Sequence, residues 1–336
     1  MTRVLVVRLG SLGDLVHTLP AVAALRRAHP GRDIDWLVDA THRGFLELVP
    51  DVTAIVPLGG RSARAWIDAR RALRERRYDA AVDFQGLLKS AALARLSGAR
   101  RVIGFDRGAL RERAAAPFYT ERIEVGEGGH VIQKNLRLAA ALGARPGAPE
   151  FPIAEVDSAP ARRAQAEVAG PYALLNPGAA WPNKRWPPDR FGRLARILRD
   201  RHGLASIVLW GPGEGTLARG VLAFADGAAR LAPETSWRDV VALARGARLI
   251  VSGDTGPLHV AAAVGVPAVG LYGPTNPRRN GPWSADDVVI SRHEACHCAY
   301  KRRCRLGADD WCLAAVSVED VAAAADRRLG AAGTSP

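Results

Sequence analysis

Residues 249–272, Leu-Ile-Val-Ser-Gly-Asp-Thr-Gly-Pro-Leu-His-Val-Ala-Ala-Ala-Val-Gly-Val-Pro-Ala-Val-Gly-Leu-Tyr, constrain this chain more than any other stretch. The first three are apolar without alternation, as in a strand buried on both faces. Ser252 to Gly256 then turn the chain, and Pro257 stands where a first helical turn tolerates proline. Residues 258–264 read as a short helix stopped by Gly265, and 268–272 as the next strand. The helix start at Thr255-Gly256 offers backbone N–H groups and the positive end of a dipole, which together suit an anion. Asp254, Thr255 and His259 ring that point with acceptors and donors. An ordinary strand-to-helix turn capped by Asp254 or Thr255 has the same pattern, so this stretch alone leaves both readings open.

The same alternation fills the rest of the chain. Strands are expected over 3–9, 34–38, 52–57, 80–83 and 102–105, with helices over 63–77, 87–96 and 130–142. Leu15, Leu19, Val22 and Leu25 predict one further helix before His29-Pro30-Gly31. After the turn-rich linker 143–149 come strands 172–175 and 206–210, then helices 188–202, 216–225 and 237–244, and a last helix over 318–329. Strands alternating with helices make an α/β protein with parallel sheets covered on both faces. The length of 336 residues predicts two such domains, 1–155 and 156–330, with the last helix free to pack back on the first. Ligands of such sheets bind beyond the carboxyl ends of the strands, so a cleft between two doubly wound halves is the expected site.

Three loops at those strand ends carry chemistry. Gly10-Ser-Leu-Gly-Asp14 follows the first strand; its glycines allow a tight turn, and Asp14 is either a helix cap or a carboxylate placed to take a proton. The spacing is not a dinucleotide fingerprint and no P-loop lysine follows, which argues against dehydrogenase and NTPase chemistry. The loop 176–187, Asn-Pro-Gly-Ala-Ala-Trp-Pro-Asn-Lys-Arg-Trp-Pro, sets Lys184 and Arg185 between tryptophans. Two cations there can neutralise a diphosphate leaving group, or simply be solvated while the tryptophans pack.

The net charge of +13 asks for an anionic partner: nucleic acid, anionic lipid or a phosphorylated substrate. That charge makes a basic anion- or nucleic-acid-binding module the non-enzyme alternative; against it, the arginines are spread along the chain and no nucleic-acid motif occurs. Neither a membrane-span-length apolar run nor a signal-peptide core is found, and the expected location is the cytoplasm. Cys296, Cys298, Cys304 and Cys312 cluster late in the chain. In a reducing compartment they suggest a structural metal or a packed reduced loop, remote from catalysis, although their spacing is not that of the common zinc pairs.

Five segments in order, 8–20, 82–90, 183–187, 254–259 and 272–275, resemble the ADP-heptose lipopolysaccharide heptosyltransferases of glycosyltransferase family 9. They begin Arg-Leu-Gly-Ser-Leu-Gly-Asp, Val-Asp-Phe-Gln-Gly, Asn-Lys-Arg-Trp-Pro, Asp-Thr-Gly-Pro-Leu-His and Tyr-Gly-Pro-Thr, and the likeness is strongest to the branch that adds the first heptose. The resemblance implies a GT-B architecture and an inverting, metal-independent transfer of heptose from ADP-heptose to the Kdo sugar of lipid A. On it Asp14 is the catalytic base and Lys184 meets the donor diphosphate. Asn176, Asp254, Thr255, Gly256, Pro257 and His259 would bind the nucleotide sugar; Gly13, Arg61, Arg64, Lys89 and Arg111 would meet the acidic acceptor. No cofactor is implied, and the enzyme would act as a monomer, peripheral to the cytoplasmic face of the inner membrane. Ala179 and Ala180 depart from the pattern, standing where that branch has hydroxyl residues. A second-heptose transferase, another donor or acceptor within the family, and a nucleotide-sugar epimerase of similar build are the enzyme alternatives.

Overall fold

Two six-stranded parallel sheets, wound in the same order, organise the chain. The computed structural model describes residues 2–60, 62–145, 147–304 and 311–332. The chain divides into two units, Met1–Ala154 and Glu155–Pro336. The first contains β1 (Arg3–Val7), α1 (Leu12–Val16), α2 (Leu19–Ala28), β2 (Asp33–Asp39), α3 (Arg43–Leu46), β3 (Ala54–Leu58) and α4 (Ala63–Arg76). It continues with β4 (Ala80–Asp83), α5 (Leu88–Leu96), β5 (Arg101–Phe105), β6 (Glu121–Ile123) and α6 (Val131–Ala140). The second opens with α7 (Ala159–Val168), β7 (Tyr172–Asn176), α8 (Pro188–His202), β8 (Ala205–Val208), α9 (Gly215–Phe224), β9 (Ala229–Leu231) and α10 (Trp237–Gly246). It ends with β10 (Leu249–Gly253), α11 (Gly256–Ala263), β11 (Ala268–Tyr272), α12 (Pro277–Asn280), β12 (Val288–Ser291) and α13 (Val318–Ala332).

The sheet orders are β3-β2-β1-β4-β5-β6 and β12-β11-β10-β7-β8-β9. In both, the chain starts in the middle, winds to one edge, returns and winds to the other. This is the doubly wound Rossmann order, and its crevice opens where the direction reverses. That point lies between β1 and β4 in the first unit and between β7 and β10 in the second. Registers Val7↔Asp83 and Asn176↔Ser252 bring the paired strand ends level. Each crevice is therefore built from the two loops that follow those strands.

Alternation of side chains along central strands feeds two layers of core. In the second unit Leu175 and Val251 point into a cluster with Phe191, Leu198 and Val321, while Leu174 and Ile250 join Ile207, Leu243 and Leu258 on the other face. Both faces are buried, which is why these strands read as unbroken apolar runs.

Some expectations need correction. The single helix expected through Leu15 and Leu25 is two helices, broken at His17-Thr18. Pro20 lies in the first turn of α2, where its missing N–H costs nothing. Thr18 Oγ1 donates to the Asp14 carbonyl at 2.8 Å, and Asn135 of α6 donates to the His17 carbonyl at 3.0 Å. Val321, Ala324 and Ala325 of α13 lie in the second unit's core against α8, β11 and β12. β6 (Glu-Arg-Ile) and β9 (Ala-Arg-Leu) escape a pattern search because short edge strands need no apolar run. Among the described residues no helix is long and apolar enough to cross a membrane.

Candidate active site

In the first unit the chain leaves β1 through Arg8 and Leu9 and starts α1 within five residues. Asp14 lies in the first turn of α1, one-fifth of its side chain open. Its Oδ2 accepts from the Ser11 N–H at 3.1 Å and the Ser11 hydroxyl at 3.2 Å. Its Oδ1 lies 2.5 Å from Nη2 of Arg8, which is buried. Arg8 in turn donates to the Phe84 carbonyl after β4, and Leu9 N–H donates to Gln85 Oε1 at 2.8 Å. The Asp14 carboxylate is thus held by its own helix start and by a buried cation that spans the crevice. Asp14 is the third-residue partner of a capping box whose N-cap is Ser11. Gly13 is buried inside this turn.

His42, which follows β2, was not anticipated. Its ring lies so close to Gly10 that a Cβ there would come within 2.9 Å of Nε2. Burial lowers the His42 pKa, with Asp39 opposing it. Asp39 is itself pushed up by burial, but hydrogen bonds from Thr41 and the charges of His42 and Lys89 outweigh this and leave it below the usual carboxylate value.

The loop after β4 is organised by Asp83, which no motif singled out. It is wholly buried and accepts from Gln85 N–H at 2.8 Å, Gly86 N–H at 3.3 Å, Ser90 Oγ at 2.8 Å and Tyr119 OH at 2.7 Å. Burial pushes its pKa up against those four donors. Gly86 takes a φ of +69°, which a side chain would strain, and this turn delivers Leu87–Lys89 to the rim. Tyr119→Phe is expected to destabilise the protein by about 1–3 kcal/mol by removing a buried donor from Asp83. Urea denaturation measures it, and an unchanged midpoint would make the Tyr119 hydroxyl dispensable.

Lys89 and Arg111 are both exposed, and their segments are tied together: Glu112 accepts from Leu88 N–H at 2.7 Å, and its own N–H reaches the Gly86 carbonyl. Arg64 is exposed on α4, 3.9 Å from Asp68. Trp66 of the same helix shares with Leu87, Leu88, Lys89, Ala92, Glu112 and Phe118 a largely apolar groove of about 570 Å³. Arg61 lies outside the described residues.

The second unit repeats the plan with different chemistry. Asp254, 7% exposed, accepts from Lys184 Nζ at 2.6 Å, Thr275 Oγ1 at 2.7 Å and Asn280 Nδ2 at 3.1 Å, and pairs with His259 Nε2 at 2.9 Å. Burial alone would raise its pKa; the hydrogen bonds and charges of His259 and Lys184 reverse this and hold it well below the usual range. Lys184 also sits 4.7 Å above the Trp181 ring, so that tryptophan is more than packing. Arg185 donates to the Ala179 carbonyl at 2.9 Å and closes the loop on itself. Asn176 is buried, with Nδ2 shared among Gly178 O, Ser252 Oγ and Thr255 Oγ1 at 3.0–3.1 Å. It staples the loop after β7 to the loop after β10. Thr255, Gly256 and Pro257 open α11 and stay partly exposed.

Gly253 explains how Lys184 reaches Asp254. A Cβ at Gly253 would collide with the Lys184 carbonyl, so the absent side chain lets the loop lie on the end of β10. Gly253→Ala is expected to lift the Lys184 loop off the end of β10 and destabilise the protein by about 1–3 kcal/mol, the cost of overpacking. Urea denaturation checks it, and an unchanged midpoint would mean the loop has slack.

The four cysteines are thiols. Cys298 and Cys304 lie 3.7 Å apart at sulfur, and Cys312, hydrogen-bonded to Cys296, is pushed up to about 12 by burial and by that thiol. Among the described residues no three His, Cys, Asp or Glu side chains are grouped to hold a metal. Cys312 packs on Gly273, two residues before Thr275, whose hydroxyl donates to Asp254.

Comparison with known proteins agrees with this geometry. The family model described as glycosyltransferase family 9 (heptosyltransferase) matches residues 66–308. Lipopolysaccharide heptosyltransferase 1 of Pseudomonas aeruginosa is 34% identical over 90% of this chain and 87% of its own length. The protein of that name from Escherichia coli K12 is 32% identical over 85% of this chain and 92% of its own. Among solved structures, E. coli heptosyltransferase WaaC with ADP superposes with a TM-score of 0.76 at 27% identity, covering 98% of this chain and all of that one. A two-sheet α/β chain with this topology and these matches is an enzyme of the GT-B class rather than a basic binding module. The chain belongs to glycosyltransferase family 9, the heptosyltransferases.

Proposed function

We propose that the protein transfers a heptose, with inversion, from ADP-heptose to the Kdo sugar of lipid A during assembly of the lipopolysaccharide inner core. The observation that carries this is that each unit, taken by itself, sets a charged group at its sheet's reversal point: Asp14 held by Arg8 in the first, Lys184 held by Asp254 in the second. The first unit would hold the acceptor and the second the nucleotide sugar. Relatives named heptosyltransferase 1 and a WaaC structure described with ADP-2-deoxy-2-fluoro heptose support that donor.

In the reaction the acceptor hydroxyl attacks the anomeric carbon from the face opposite the diphosphate. Asp14 takes the hydroxyl proton, and the C–O bond to ADP breaks as the new one forms. Charge building on the leaving diphosphate is met by Lys184 and the first turn of α11 at Thr255–Gly256, which fill the role a divalent cation would otherwise take. The Lys184 ammonium donates to the Asp254 carboxylate at 2.6 Å and, at 3.4 Å, to the Asp254 carbonyl, which leaves an N–H to offer a phosphate. Pro257 and His259 shape that helix start, while Asn176 acts through Thr255. Gly13 keeps the Asp14 turn tight; Arg64, Lys89 and Arg111 draw the acidic glycolipid, and the apolar groove beside Lys89 suits its acylated part. The enzyme would act as a monomer on the cytoplasmic face of the inner membrane.

The deciding experiment is incubation with a panel of nucleotide sugars and Kdo-lipid A, with and without EDTA, followed by mass spectrometry. A heptose adduct formed equally in both supports the proposal; transfer of another sugar, or only with added metal, contradicts it. Replacing Lys89 and Arg111 together by Ala is expected to raise the KM for acceptor several-fold and flatten its salt dependence, while ADP binding stays native. An unchanged acceptor KM with weakened ADP binding would reverse the roles of the two units.

A further inference from the structure

The segment on either side of residues 305–310 is laced to both loops that frame Asp254. Trp311 Nε1 donates to the Arg185 carbonyl at 2.6 Å, and Asn183 Nδ2 donates to the Lys301 carbonyl at 2.9 Å. These two bonds grip the chain immediately before and after Lys184. Trp186 Nε1 and Arg190 add bonds to the carbonyls of Val316 and Ala314. On the other loop, Tyr300 N–H donates to the Pro274 carbonyl at 2.8 Å, beside Thr275. The Cys312 thiol occupies the space that Gly273 leaves, within 2.8 Å of where a Cβ would stand. Trp311 is itself packed against the main core cluster of the second unit, so the bond to Arg185 ties the loop to a rigid layer.

We propose that Trp311 is a positioning residue for the donor: through the Arg185 carbonyl, with the Asn183 side chain gripping the Lys301 carbonyl on the other side, it fixes Lys184 between Asp254 and the nucleotide diphosphate. The inference rests on the reading of Lys184 as the cation that meets that diphosphate. A lysine at the end of four rotatable bonds gains affinity only if its main chain is fixed, because the entropy of ordering it is then already spent. Asp254 fixes the ammonium, Gly253 admits the carbonyl, and the Trp311 bond fixes the backbone just beyond.

The test is a double-mutant cycle read by calorimetric ADP titration and donor and acceptor KM. Trp311→Phe keeps the ring in the core and removes only the N–H. It is expected to weaken ADP binding roughly 3- to 10-fold and raise the donor KM alike, with acceptor KM unchanged. In a Lys184→Ala background the same substitution should change ADP binding less than about 2-fold. Asn183→Ala, which cuts the other grip, should behave the same way and substitutes for Trp311→Phe if that variant fails to fold. Equal effects in both backgrounds, or a matching rise in acceptor KM, would show a general structural role and overturn the inference. If Lys184→Ala weakens ADP while neither loop variant does, the clamp is wrong and the donor reading stands. If Lys184→Ala has no effect, both fall together.

Discussion

Asp14→Asn is expected to cut kcat by about 10²- to 10⁴-fold, the usual contribution of a general base, while ADP titrates as in the native protein. Asparagine keeps the shape and the acceptor oxygen but cannot take the hydroxyl proton. The structure adds a second consequence, since Oδ1 is the partner of the buried Arg8 guanidinium. Losing that charge should also destabilise the first unit by about 1–3 kcal/mol, visible as a lower melting temperature. The two effects can be separated: Arg8→Lys keeps a cation near Asp14 but not the fork that reaches Phe84, so it should reproduce much of the stability loss with less of the rate loss. An Asp14→Asn enzyme that melts early yet turns over within a few-fold of native would leave Asp14 as a loop anchor only.

Lys184→Ala is expected to weaken ADP binding by roughly 10- to 100-fold, the equivalent of a charged hydrogen bond worth about 1.5–3 kcal/mol. Turnover should fall further than binding, because the diphosphate carries more charge as it leaves than in the bound donor. Asp254→Asn probes the same unit from the other side. It keeps Lys184 but weakens its anchor and that of His259, so ADP affinity should fall less than for Lys184→Ala and the two substitutions together should not add. Titration of the two single variants and the double variant measures this. Native ADP affinity in Lys184→Ala would return the lysine to a structural ion pair.

Much of this was legible in the order of residues. Unbroken apolar runs such as residues 249–251 announce strands buried on both faces, and glycine-rich turns after them announce crevices, because both follow from local backbone chemistry. The Asp14, Lys184 and Asp254 loops were identifiable on that ground, with the family resemblance supplying their roles. Asp83 was not, since a carboxylate with four buried donors looks in sequence like any aspartate after a strand. Asn280 and the ring of Trp181 were missed for the same reason: their partners, Asp254 and Lys184, are reached through space.

Local sequence determined the strands, the helix starts and the turns, because those depend on backbone preferences and on apolar spacing within a few residues. Tertiary structure alone decided that Arg8 would bridge Asp14 to the loop after β4, and that Trp311 would bond the carbonyl beside Lys184 across more than a hundred residues. Such contacts are set by which strands become neighbours when the chain reverses its winding at β1 and β7. A short sequence window carries no record of that neighbour choice, which is made by burying two whole sheet faces at once.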